Sequence, residues 1–203
     1  MILVTGFERW EEVPDNPTSQ IVEQLKANDV VGKVLPVSFS KAGLMVENLV
    51  KEYRPEAIIN LGLAPERATI RVERVAINLI DARVPDNDGV KPVDEPIDPL
   101  GPVAYMATIP TREIVESVRS RGIPAFLSYS AGTYLCNFVM YKTLRTVDKL
   151  GLGSMAGFIH VPYSSEIASE MDKPVPNLPL RTLLEAVEIA LDVVRRAISS
   201  SRS

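Results

Sequence analysis

Ser130-Ala131-Gly132-Thr133-Tyr134-Leu135-Cys136-Asn137 is the stretch from which the fold is read, because an apolar run leads into it and a periodic run leaves it. Upstream, Ile123 to Ser128 reads as a buried strand. Downstream, Phe138, Val139, Tyr141 and Leu144 recur at helical spacing, giving a helix from about Tyr134 to Lys149. Cys136, the only cysteine in 203 residues, therefore sits at a strand-to-helix junction. A thiol there faces unpaired backbone N–H groups and the positive end of the helix dipole, which favour thiolate over thiol. Two readings stand side by side at this point. Cys136 is a small buried apolar residue, or it is a nucleophile.

Working outward, strands and helices alternate along the chain, and the length suits one α/β domain. Ile2 to Thr5 is a first strand. Its "ILVTG" run suggests a dinucleotide fold, but Phe7-Glu8-Arg9-Trp10 follows where a glycine-rich phosphate turn is needed. Phe7 and Trp10 either pack in the core or line a ligand crevice, since loops at strand C-termini do both. A helix runs from Pro17 to about Ala27. Val34 to Phe39 reads as a strand, Ser40 to Tyr53 as an amphipathic helix with Leu44, Met45, Leu49 and Val50 on its apolar side, and Ala57 to Leu61 as a third strand. Thr69 to Ile80 reads as a long strand or hairpin, with Glu73 set among apolar neighbours. Such a carboxylate faces water at an edge or has a buried partner.

Val84 to Pro102 holds five prolines, five acidic residues and one basic residue, which makes it a long loop of the kind that is functional or mobile. Thr111 to Arg121 reads as a helix capped by Thr111. Gly151 to Gly157 loosely echoes a phosphate loop, but it stands between a helix and a following strand, the wrong order for that mechanism. Phe158-Ile159-His160-Val161 is the next strand, and it carries the only histidine. Lone strand histidines are often structural. Leu180 to Ile198 is a final amphipathic helix.

Net charge −4, with 46% hydrophobic and 24% charged residues and no basic cluster, argues against nucleic acid as a partner. No apolar run approaches the ~18 residues of a membrane span. The N-terminal residues lack the pattern of a signal peptide, and one cysteine cannot form an intramolecular disulfide, so a cytoplasmic protein is expected. One cysteine and one histidine argue against a dedicated zinc site, and no cofactor is expected.

Cysteine acyl chemistry requires a thiolate, a base that later protonates the leaving amine, and a group that orients that base. Cys136 and His160 are candidates for the first two, placed to meet over one edge of a parallel sheet. A non-catalytic binding module on the same scaffold is the rival. A nucleotide enzyme is another, although no phosphate-binding turn follows any expected strand.

Several runs together resemble the pyroglutamyl peptidase I family of cysteine peptidases. They are Val4 to Glu8, Gly62-Leu63-Ala64, Glu73 to Asn78 with Asp81 to Asn87, Ser128 to Asn137, and Gly157 to Tyr163. The resemblance covers about residues 1 to 165. It implies a three-layer α/β/α sandwich around a twisted mixed, mostly parallel sheet. It further implies Cys136 as nucleophile, His160 as general base and acid, Glu73 as the carboxylate orienting the histidine, and Arg83 near the oxyanion beside the Cys136 N–H. A small apolar slot for the 5-oxoproline ring would be formed by Phe7, Trp10, Val84 and Tyr134, with Leu135 and Asn16 beside it. The substrates would be peptides with an N-terminal pyroglutamate, and a homotetramer would be expected. Trp10 replaces the family's usual phenylalanine, Glu11 to Asp15 its glycine pair, and Glu66 a usual glycine.

Overall fold

The computed structural model describes residues 1–10 and 13–201. In chain order the elements are β1 (Ile2–Phe7), α1 (Pro17–Gln24), β2 (Val30–Leu35), α2 (Phe39–Tyr53), β3 (Ala57–Leu63), β4 (Ile70–Glu73), β5 (Val75–Ile77), β6 (Ala104–Met106), α3 (Thr111–Ser120), β7 (Ala125–Ser128), α4 (Leu135–Lys149), β8 (Met155–Val161), β9 (Tyr163–Ser164), α5 (Ser165–Ala168), β10 (Asn177–Leu178) and α6 (Leu180–Ser200).

The main sheet has six strands in the order β2-β1-β3-β8-β4-β7. All neighbours are parallel except β4 and β8, which run antiparallel. Strands β1, β3 and β8 are buried along almost their whole length, as expected for strands covered on both faces. One face packs Ile2, Val4, Ile59, Ile70, Val72 and Ile159 against α1, α3 and α6; the other packs Leu3, Ile58, Ala156 and Phe158 against α2 and α4. Burial of these two apolar faces, at about 25 cal/mol per Å², is the main favourable contribution to the fold.

Several local expectations shift. The second strand is Val30–Leu35, not Val34 to Phe39, because Ser38 accepts the Lys41 N–H as the cap of α2. Leu44, placed on that helix's apolar side, is instead 62% exposed. Helix α3 begins after Pro110 with no side-chain cap, rather than being capped by Thr111. Thr69 to Ile80 is neither one strand nor a hairpin: β4 ends at Glu73, and β5 pairs with β6 in a separate two-stranded sheet. Strand β7 lies at the sheet's edge, so Phe126 is half exposed rather than buried.

Candidate active site

The strand order explains how Cys136 and His160 come together. β8 is an interior strand, so the two meet over the middle of the sheet and not over its edge. The register pairs Arg71 with His160 and Glu73 with Phe158 across β4 and β8. Side chains alternate along a strand and cross-strand partners share a face, so Arg71, Glu73, Phe158 and His160 all project to the α4 side. Glu73 is thus the buried partner of the histidine. It is fully buried, and its Oε1 lies 2.8 Å from His160 Nδ1. Glu73 Oε2 has no hydrogen-bond partner among the described residues. The Phe158 ring lies 4.8 Å from the imidazole, centroid to centroid, and fixes its plane.

Cys136 is the second residue of α4. The first bond of that helix runs from the Phe138 N–H to the Tyr134 carbonyl, and Tyr134 supplies no side-chain cap. The Cys136 N–H therefore has no intrahelical acceptor and is free to donate to a substrate oxygen. Asn137 locks the start of the helix: its amide accepts the Ile77 N–H and donates to the Ile77 and Leu79 carbonyls. Gly62 lets the sulfur sit close to the sheet, since a Cβ there would lie 2.7 Å from Cys136 Sγ and 2.6 Å from the Phe158 ring. Neither role is legible in the sequence beyond the presence of a glycine and an asparagine within the matching runs.

Burial, the largest influence, lowers the His160 pKa, but the Cys136 charge and hydrogen bond, and then those of Glu73, push it up to about 9. With Nδ1 committed to Glu73, Nε2 is the nitrogen that meets the sulfur. The sign of the effect gives a direct test. Because this is the chain's only histidine, one imidazole NMR signal should titrate near pH 9, above the ordinary value near 6.5. In Cys136→Ala the largest raising influence is gone and burial remains, so the midpoint should fall. An unmoved midpoint would show that the sulfur and the ring are not neighbours.

Two connected hollows open at Cys136. An apolar slot of about 220 Å³ is lined by all six residues expected there, Phe7, Trp10, Asn16, Val84, Tyr134 and Leu135, and also by Val13, Leu63 and Tyr163. Glu11 and Glu12 of the altered loop lie outside the described residues. Asn16 is largely committed to structure: its Oδ1 accepts from the Thr18 N–H and hydroxyl, and its Nδ2 donates to the Glu8 carbonyl. The Tyr134 hydroxyl donates to the Pro85 carbonyl, and the Tyr134 ring meets Phe39 edge to face at 5.2 Å, so this wall is fixed from both sides. Burial first, and then the charges of Asp86 and Cys136, raise the Tyr134 pKa to about 12, keeping the wall uncharged. The second hollow is a groove of about 470 Å³ with Arg83, Asp81, Glu66, Arg71 and His160 on its walls. Arg83 is exposed and lines the groove alongside Cys136.

The pyroglutamyl peptidase family model matches residues 1–197. The chain belongs to the pyroglutamyl peptidase family. A pyrrolidone-carboxylate peptidase of Thermococcus litoralis is 46% identical over 201 residues, covering 95% of this chain and 91% of the relative. That of Pyrococcus furiosus is 46% identical over 200 residues, covering 95% and 96%. A solved structure of pyrrolidone carboxyl peptidase from T. litoralis superposes with a TM-score of 0.92 at 43% identity, covering all of this chain and 96% of that one. The pyroglutamyl peptidase fold is thus the α/β fold described above, with its mixed, mostly parallel sheet.

Proposed function

We propose that this chain is a single catalytic domain that hydrolyses the bond after an N-terminal pyroglutamyl residue, with Cys136, His160 and Glu73 as its catalytic group. The observation that carries the reading is the buried line from Glu73 through His160 to Cys136, opening into an apolar slot. Cys136 Sγ attacks the pyroglutamyl carbonyl, and the oxygen that gains charge is met by the Cys136 N–H and by Arg83. His160 Nε2 delivers its proton to the leaving amine as the C–N bond breaks, giving a thioester. Water then gives a proton to His160 and its oxygen to the thioester carbonyl, releasing pyroglutamate and the thiolate.

The slot explains the choice of a lactam. Among the described residues, no acidic side chain lines it. Open-chain glutamate or glutamine would bring an α-ammonium that no described lining residue can pair, at a cost of several kcal/mol. The uncharged lactam avoids this penalty. Trp10, half-buried in the slot wall, should contribute chiefly to ring binding. Trp10→Ala should raise KM about fivefold, the equivalent of about 1 kcal/mol of lost apolar contact, with a smaller effect on kcat. An unchanged KM would leave Phe7 as the principal wall.

Release of a fluorogenic amine from its pyroglutamyl amide, compared with the prolyl amide, tests the reading. Rapid release from the first and little from the second is expected, since proline lacks the oxo group and carries a charged ring nitrogen. Comparable release from both would contradict it. The same reading makes the protein a cytoplasmic homo-oligomer, a tetramer by resemblance, that binds no nucleic acid, cofactor or metal. Leu100 (90% exposed), Val103 (85%) and Met106 (54%) are exposed apolar side chains close together in the chain, of a kind suited to self-association. No described helix is long and apolar enough to cross a membrane.

A further inference from the structure

The groove beyond Cys136 continues past His160 toward the free edge of the sheet. The register places His160, Arg71 and Phe126 side by side on β8, β4 and β7, all projecting to the α4 face. This row leads from the catalytic base to a hollow of about 540 Å³ lined by Arg67, Arg71, Phe126, Tyr129 and Ser130, among others. Arg71 and Ser130 also line the groove at Cys136, so the two spaces are continuous.

The slot on the other side of Cys136 takes the lactam, so this direction is open to the rest of the peptide. Its chemistry is cationic and aromatic. Arg67 is exposed, and Arg74 lies over the Tyr129 ring at 5.9 Å. The acids nearby are Asp81, which lines the groove together with Arg83, and Glu66, whose 73% exposed carboxylate approaches Arg71 only to 3.7 Å. An ion pair that long and that wet is weak, and a better-placed carboxylate would displace it.

Resting on the functional reading above, we infer that this hollow is the subsite for the leaving-group side of the peptide, where Arg71 and Arg67 receive a substrate carboxylate. Strands lie about 4.8 Å apart and an extended peptide advances about 3.5 Å per residue. One to two strand spacings from His160 thus correspond to about one to three residues beyond the lactam. The carboxylate is either the C-terminus of a short peptide or an acidic side chain at that position.

Two peptide pairs distinguish these sources: pyroglutamyl-alanyl-alanine as free acid and as amide, and pyroglutamyl-alanyl-glutamate amide against its glutamine counterpart. The anionic member of at least one pair should have kcat/KM about fivefold higher, mainly through KM, and the preference should shrink with added salt. Arg71→Gln and the exposed Arg67→Gln should each reduce that ratio toward one. The ratio is taken within one protein, so any general loss of activity in a variant cancels. Equal kcat/KM within both pairs, or a preference untouched in both variants, would overturn the subsite while leaving the pyroglutamyl activity standing. Failure to hydrolyse any of the four peptides and the simple pyroglutamyl amide would overturn the functional reading, and the subsite with it.

Discussion

Cys136→Ala should fold as the wild type does and hydrolyse pyroglutamyl amides at least about 10³-fold more slowly. The sulfur is half-buried between β3 and Phe158, so its removal leaves only a small void, while the chain holds no second thiol to take its place. Cys136→Ser should be nearly as poor, because a hydroxyl at the same point is a far weaker nucleophile at neutral pH. Single-turnover and steady-state rates on the pyroglutamyl amide check this. Activity above about a tenth of wild type in the alanine variant would mean that the attacking group lies elsewhere.

The second large effect is expected at the histidine, with a graded effect behind it. His160→Ala removes both the base and the donor to the leaving amine, and should lower kcat by about 10² to 10⁴. Glu73→Gln should cost less. Its amide oxygen can still accept from Nδ1 at the 2.8 Å position, but a neutral acceptor supports the imidazolium by about 1–2 kcal/mol less than a carboxylate, or about five- to thirtyfold in rate. The buried amide nitrogen would also occupy the place of Oε2, which has no partner among the described residues, and an unpaired donor there lowers stability as well. Wild-type kcat/KM in Glu73→Gln would make the carboxylate a bystander.

How far the sequence could be read depended on whether the relevant interaction is local. Cys136 at the helix start and His160 near a strand end are local facts, visible in periodicity. Glu73 was not readable from its own neighbourhood, because an apolar strand with one carboxylate fits a wet edge as well as a buried pair. What decides it is the antiparallel register of β4 against β8, a pairing between segments 87 residues apart at the Glu73–His160 contact. The same limit explains Phe126: its flanking residues suggest a buried strand, and only the strand order puts β7 at the edge. Val30 to Lys33 was not legible as strand because a glycine and a lysine interrupt the apolar run, yet Gly32 is required where Val22 presses on the strand, 2.8 Å from where a Cβ would lie. The lining of the slot was readable only through resemblance, since Phe7 ends a strand, Val84 lies in a loop and Tyr134 precedes a helix, and no local pattern connects them.

The most direct test of the central claim uses the fact that the chain has one thiol. Samples alkylated with iodoacetamide to graded extents, measured by mass, should lose pyroglutamyl amide hydrolysis in proportion to the fraction of Cys136 modified, reaching zero when all of it is blocked. Fully alkylated protein that still released the amine at the wild-type rate would contradict the account.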